Sequence, residues 1–202
     1  MSDNVHIPLY HMLFEVAKEL RNKATDPRSC AGKPSWHEMK YSAGAIFFAC
    51  ACLESWANAL VNDRSLVKND GSFKWSHGRT VQERLAELQR TEVRGNRKGW
   101  EVLSLRKKWL KLTEIIDPQG RAAFRELQEP FSGFAELIDI RNKQIAHHKA
   151  EIATDPSTLP EVSRLTADWA KRACEIVVKM CNGIEKYGGD AASSVAWWCR
   201  DP

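Results

Sequence analysis

The segment Phe131–His148 reads FSGFAELIDIRNKQIAHH, and it places an arginine on an otherwise apolar helical face. Successive steps of three, four, three, four and three residues keep this face together at helical spacing. Its members are Phe131, Phe134, Ile138, Arg141, Ile145 and His148. A guanidinium on an apolar face must find a partner or open onto a pocket, so Arg141 is a candidate functional residue. Asn142 and His147 accompany it in the same segment.

Helical periodicity extends along most of the chain, and no segment has the convincing period-two alternation of a strand. Predicted helices cover Leu9–Leu20, Trp36–Asn62, Trp100–Ile116, Phe131–His148 and Thr158–Tyr187, with a short one from Thr80. The predicted class is all-α. The four longest of these, with short connections, indicate an antiparallel four-helix bundle with additional short helices.

The spacing of apolar residues also predicts which side of each helix faces the core. The first helix is expected to bury Leu9, Leu13, Val16 and Leu20. The second is expected to bury Ile46, Cys50, Leu53, Ala57 and Leu60. The last is expected to bury Leu165, Trp169, Ala173, Ile176, Met180 and Ile184.

Length and composition are those of an ordinary globular protein, with 202 residues, 43% hydrophobic and 28% charged. One domain is expected over residues 1–189, followed by a C-terminal tail over residues 190–202. Six cysteines without a CxxC pair favour small buried hydrophobes in a reducing compartment, and no metal site is expected. The N-terminus has no signal-peptide pattern, and the apolar run Ala43–Leu53 is about half a membrane span. A cytoplasmic protein without a membrane partner is therefore expected.

Two segments carry a resemblance to a known family. IDIRNKQIAHH, at Ile138–His148, resembles the signature of HEPN domains (higher eukaryotes and prokaryotes nucleotide-binding). In that signature an arginine with a polar neighbour precedes a histidine by four to six intervening residues. AIFFACACLESWANAL, at Ala45–Leu60, is similar to the early HEPN helix, because its apolar run leads into Glu54 and Asn58.

The resemblance implies a metal-independent endoribonuclease that needs no cofactor and leaves a cyclic phosphate. RNA carries its own nucleophile, the 2′-hydroxyl, so the protein must supply proton transfer and positive charge at the phosphate. Arg141 is predicted to bind the phosphate and His147 to transfer protons, with Asn142 and Glu54 supporting them. The resemblance further implies a homodimer, a role as a toxin or antiviral effector, and a neutralising protein partner.

The identity of the proton-transfer histidine stays open between His147 and His148. At about 100° per residue, an unbroken α-helix puts His147 about 120° and His148 about 20° from Arg141, which favours His148. The match of Ile145-Ala146-His147 to the family, whose helices often bend or end within the motif, favours His147.

Two other functions are compatible with the same residues. A catalytically silent HEPN bundle would act as a binding or dimerisation module, and the spacing between Arg141 and His147, one residue longer than the commonest family form, favours it. Arg141 would then form a structural ion pair with Glu54 or Asp139, and His147 would face the negative end of a helix dipole. A small-nucleotide binder would instead have a closed pocket beside Arg141.

A basic region spans Arg90–Lys111, where Trp100 and Trp109 lie among the cations. It predicts RNA-binding residues at Arg97, Lys98, Arg106 and Lys107. The alternative is a solvated helix face whose tryptophans turn inward.

Overall fold

The computed structural model describes residues 9–26, 36–62, 83–84, 86, 92–93, 97–98, 103–116, 128–146 and 164–188. These ranges contain α1 (Leu9–Ala24), α2 (Trp36–Asn62), α3 (Leu105–Ile116), α4 (Phe131–Ile140), a π-helix (Arg141–Ala146) and α5 (Ala167–Gly188). Two strands of two residues each, β1 (Glu92–Val93) and β2 (Arg97–Lys98), pair antiparallel with Glu92 opposite Lys98. This small ladder lies in a segment without a predicted helix, and the all-α class is confirmed.

The chain divides into two compact units. Unit one comprises Met1–Leu53 and Gly133–Val178, and unit two comprises Glu54–Ser132 and Lys179–Pro202. The single domain over residues 1–189 stays a prediction. The predicted tail, residues 190–202, lies outside the described residues.

In unit one, α2 and α5 lie side by side and run in the same direction. The Ala167 backbone N–H at the start of α5 donates a 2.8 Å hydrogen bond to the Glu38 carboxylate near the start of α2. Ala45 and Ala170 then share a buried cluster with Ala24 of α1. Small side chains at these contacts allow the three helices to approach closely.

Gly44 extends this close packing between α1 and α2. A Cβ atom at Gly44 would lie 2.8 Å from Cδ1 of Leu20, so a side chain at position 44 would require the end of the Leu20 side chain to move. The missing side chain therefore brings α1 against α2, although glycine weakens the helix that contains it.

The inward face predicted for α2 is confirmed, since Ile46, Cys50, Leu53, Ala57 and Leu60 are each at most 1% exposed. By length and composition, the His37–Val61 part of this helix also qualifies as a membrane span, with 56% of its most apolar window buried inside the protein. Core helices pass the same test. The cellular location and the lack of a membrane partner therefore stay predictions.

The inward face predicted for α1 is right for only two of its four residues: Leu13 and Leu20 are half-buried, and Leu20 packs against the cluster of α1, α2 and α5 alanines. Leu9 and Val16 are 60% and 36% exposed. The buried face consists instead of Tyr10, Phe14, Ala17, Lys18 and Ala24. Two apolar stripes compete on this helix. The stripe with two aromatic rings buries more apolar surface, and its alanines fit the close contact with α2 and α5.

The last helix begins later than its sequence predicts. It starts at Ala167, and the predicted start at Thr158 lies outside the described residues. Thr166 caps it, because its hydroxyl accepts a 3.3 Å hydrogen bond from the Trp169 backbone N–H. Its predicted inward residues are buried except for Trp169, which is half-buried.

Candidate functional site

The apolar stripe of α4 leads from the core to Arg141. Phe131, Phe134 and Ile138 are buried, as predicted, whereas Arg141 and Ile145 are half-buried. The arginine therefore lies where the face leaves the core, and not deep within it.

A π-helix begins at Arg141 and ends at Ala146. Its hydrogen bonds run from residue i to i+5, so it has about 4.4 residues per turn where an α-helix has 3.6. The α-helical angle that favoured His148 therefore does not apply beyond Arg141. His147 and His148 lie outside the described residues, and the choice between them stays open.

Asn142 holds the guanidinium of Arg141. Nε and Nη2 of Arg141 donate hydrogen bonds of 3.0 and 2.9 Å to Oδ1 of Asn142. This contact is what an orienting role for Asn142 requires. The same contact joins Arg21 and Asn22 on α1, at 3.1 and 2.9 Å. The contact therefore forms between adjacent Arg and Asn residues at both places where this protein has that pair, and it does not depend on the motif.

The π-helix contains a further polar group that the sequence analysis did not single out. The side-chain oxygen Oε1 of Gln144 is buried and has no hydrogen-bond partner among the described residues. An unsatisfied buried acceptor is costly and calls for an explanation, such as an incoming donor. Its spacing of three residues from Arg141 is the one sequence signal that points to it.

Asp139, one of the two partners expected for Arg141 in a purely structural role, forms an ion pair with Lys143 at 3.7 Å. Both side chains are exposed. This pair spans the junction where α4 becomes the π-helix.

The other expected partner, Glu54, belongs to unit two and is engaged by Lys108. The Lys108 ammonium lies 3.6 Å from Oε1 of Glu54 and donates a 3.2 Å hydrogen bond to Oδ1 of Asn58. The Lys108 side chain is 6% exposed and that of Glu54 is 41% exposed. One member of the basic region is thus an internal partner of the HEPN-like helix. The support of Arg141 by Glu54 stays a prediction.

The rest of the basic region divides between exposed and buried groups. Arg106 and Lys107 are exposed, and the Arg106 guanidinium lies 5.9 Å from the Phe131 ring centroid. Trp109 is fully buried, as the interpretation with inward tryptophans requires. Arg97 and Lys98 form β2, but their side chains and Trp100 lie outside the described part of the chain. RNA binding by these residues stays a prediction.

Two of the buried cysteines, Cys52 and Cys174, are kept protonated by their surroundings. Burial raises the pKa of Cys174 to about 11, although nearby Arg21 and Lys18 lower it in part. Burial also raises the pKa of Cys52 well above its ordinary value. Protonated, enclosed thiols are poor nucleophiles. Among the described residues, no group of three or more His, Cys, Asp and Glu side chains is placed to hold a metal ion.

Comparison of the chain with protein-family models, with curated proteins and with solved structures gives no match. The resemblance of the two segments to HEPN domains therefore stays a prediction.

Proposed function

We propose that this chain is a metal-independent endoribonuclease of HEPN type, built on an antiparallel four-helix bundle and acting as a homodimer. RNA is its substrate. Its class is that of toxins and antiviral effectors, which a partner protein neutralises. In an antiparallel four-helix bundle the second and fourth helices run in the same direction. The helices of unit one are α1, α2, α4 and α5, and the parallel course of α2 and α5 supports this topology.

The observation that carries the proposal is the coincidence of the motif with the π-helix. RNKQIA, Arg141–Ala146, forms the whole of this rare element, and π-helical turns frequently mark functional sites. The Arg141 guanidinium is half-buried and held along one edge by Asn142, which presents a fixed planar cation.

The reaction begins when the 2′-hydroxyl oxygen of one nucleotide attacks the adjacent phosphorus. His147, or His148 in its place, removes the hydroxyl proton, and Arg141 stabilises the negative charge that builds on the phosphate oxygens. The bond from phosphorus to the 5′-oxygen of the next nucleotide breaks, and that oxygen takes a proton. The products are a 2′,3′-cyclic phosphate and a 5′-hydroxyl. In a dimer, the second copy's histidine supplies the acid.

The test is cleavage of mixed-sequence RNA by the full chain with EDTA present. We expect cyclic-phosphate ends, and loss of cleavage in Arg141→Ala and His147→Ala. Cleavage that survives in His147→Ala but not in His148→Ala assigns proton transfer to His148. An RNA with a 2′-deoxy sugar at the cleaved position must resist cleavage. No cleavage by the unmodified chain, or cleavage that survives in Arg141→Ala, contradicts the proposal.

A second candidate function is a catalytically silent bundle that binds or dimerises. The specific observation in its favour is the identical contact between Arg21 and Asn22, which has no histidine motif beside it. Under this alternative the contact of Arg141 with Asn142 is local helix chemistry. Folded chain that forms dimers but leaves RNA intact, with or without divalent metal, would support it.

A further inference from the structure

Two arginines of unit one share a single carboxylate. Arg164, just before α5, places Nη1 3.1 Å from Oε1 of Glu136 on α4. Arg172 places Nη2 3.8 Å from the other oxygen, Oε2. The arginine side chains are 51% and 46% exposed, so solvent and solutes reach both guanidinium groups. One carboxylate thus forms ion pairs with two guanidinium groups at the surface.

An aromatic ring lies within this group. The Arg172 guanidinium carbon is 4.9 Å from the centroid of the Trp169 ring, a cation–π distance. Trp169 is half-buried where its sequence spacing predicts a core residue. The capping bond from its backbone N–H to Thr166 fixes the turn that carries it. An aromatic ring therefore lies partly exposed at the surface, in contact with one of the two arginines, Arg172.

The carboxylate that holds the two arginines, Glu136, lies on α4, the helix that leads into the π-helix of the proposed catalytic arginine. Glu136 precedes Arg141 by five residues, which separates the two positions by about 7.5 Å along a helix axis and by about 140° around it. Between them lies Asp139, whose exposed carboxylate pairs with Lys143, so that the two charges cancel. Asp168, in the first turn of α5, is a further exposed acid.

We propose that Arg164, Arg172 and Trp169 form an RNA-contact platform, in which the two guanidinium groups bind backbone phosphates and the indole ring stacks on a base. The proposal rests on the ribonuclease function and names the surface that holds its substrate. The platform residues differ from the basic region of unit two. In the RNA-free protein, the Glu136 carboxylate takes the place of the phosphate between the two forks.

RNA fits this surface better than an acidic protein does. Arginine matches phosphate with its planar fork, and every base has a face that stacks on an aromatic ring. An acidic peptide would use the charges but would have no use for the ring. Loss of affinity on removing the ring therefore separates the two kinds of partner.

The experiment measures binding of a fluorescent 20-nucleotide single-stranded RNA to the full chain carrying both His147→Ala and His148→Ala, with EDTA present, over a range of salt concentrations. We expect Arg164→Ala with Arg172→Ala to weaken binding at least tenfold. The slope of log affinity against log salt should fall by about 1.4, since about 0.7 is lost for each phosphate contact on a single strand. We expect Trp169→Ala to weaken binding about 5- to 100-fold. We expect Glu136→Gln to strengthen it.

Charge-matched controls separate the platform from general electrostatics. Arg21→Ala with Lys23→Ala removes the same charge from the end of α1 and should change affinity less than about threefold. Arg164→Lys with Arg172→Lys keeps the charge but removes the forks, and should weaken binding to an intermediate degree. Circular dichroism and melting temperature establish that each variant folds. If Trp169→Ala does not fold, Trp169→Leu replaces it.

The proposal is overturned if the platform double-alanine variant and the α1 control variant weaken RNA binding equally, or if the platform variants leave binding unchanged. It is also overturned if the protein does not bind RNA at 50 mM salt, or if it binds polyglutamate with the same dependence on all three residues. Failure of the platform and failure of the ribonuclease function are distinguishable. Cleavage by the unmodified chain that platform variants leave unchanged overturns the platform alone. RNA binding that needs the platform, without cleavage by the unmodified chain, overturns the ribonuclease alone.

Discussion

At the scale of single residues, the Arg-Asn pair occurs twice with the same geometry and in different surroundings. On α1 the pair Arg21-Asn22 lies in a regular α-helix, and Asn22 is exposed. In the motif Asn142 is half-buried and the pair opens a π-helix. Asn22 therefore provides a built-in control for Asn142.

We expect Asn142→Ala to lower kcat for RNA cleavage roughly tenfold, with a smaller change in KM, because a charge-assisted contact that orients the Arg141 guanidinium is lost. Asn22→Ala removes the same contact from α1 and should leave both constants unchanged. Steady-state cleavage of a fluorogenic RNA measures them. Equal effects of the two substitutions would show that the contact has no special role at Arg141.

Lys108 is a buried cation whose partners keep it inside. We expect Lys108→Ala to lower the free energy of unfolding by about 2 kcal/mol, because its packed stem and its bonds to Glu54 and Asn58 are lost. The partial exposure of Glu54 limits the cost, since water can solvate that carboxylate. The exposed neighbour provides the control, and Lys107→Ala should change stability by less than about 0.5 kcal/mol. Urea unfolding measures both, and similar values would contradict the prediction.

The raised pKa of Cys174 predicts a loss of stability at alkaline pH. Its pKa is about 11 in the folded chain and its ordinary value is 9.0. The unfolded chain therefore loses the proton first, so this stability is complete below pH 9 and disappears as the pH rises to about 11. Two pKa units correspond to about 2–3 kcal/mol.

Urea unfolding under reducing conditions at pH 8 and pH 11 tests this expectation. Cys174→Ala should be less stable than the unmodified chain at pH 8, because it leaves a cavity, and should lose less stability between the two pH values. An equal loss in both proteins would exclude Cys174 as the source.

At the scale of elements, the π-helix and α1 depart from what periodicity alone predicts. The stripe of α4 holds its α-helical phase through Ile138, and the backbone then widens from Arg141 to Ala146. In α1, two apolar stripes of similar spacing compete, and the one with Tyr10 and Phe14 is buried. Both outcomes depend on neighbouring helices, which the spacing within one helix does not describe.

Deletion of Lys143 should convert the π-helix into an α-helix, since a π-helical turn holds one residue more than an α-helical turn needs. We expect circular dichroism to keep its helical signal and cleavage to fall by at least 100-fold, because Arg141 and the histidines change phase. Lys143→Ala removes the same exposed side chain without changing the register and should retain most activity. Full activity in the deletion variant would show that the π-helical phase is irrelevant.

At the scale of the whole molecule, the proposed reaction needs both an acid and a base. One chain supplies a single motif with one proton-transfer histidine, so two copies of the chain are required. We expect the purified protein to be a dimer by light scattering at micromolar concentration. Mixing excess His147→Ala with the unmodified chain should lower cleavage by the unmodified chain, because a mixed dimer contains only one of the two histidines that the reaction needs as acid and base. A monomer that cleaves RNA would contradict the two-copy arrangement.

The amino-acid pattern by itself determined the all-α class, the extent of α2, its buried face and the α4 stripe that ends at Arg141. Strong apolar periodicity is a local property, and burial follows it wherever one stripe is clearly the most apolar. The contact between Asn142 and Arg141 could likewise be predicted from the sequence, because these neighbouring side chains reach each other without any contribution from other helices.

Tertiary structure decided what depends on partners that are distant in sequence. The buried face of α1 followed from its close contact with the alanines of α2 and α5. Lys108 turned inward because Glu54 and Asn58, some 50 residues away, solvate its ammonium. Trp169 remained at the surface, where Arg172 stacks on its ring beside the Glu136 carboxylate. In each case one helix offered two comparable arrangements, and packing or charge from another helix selected between them.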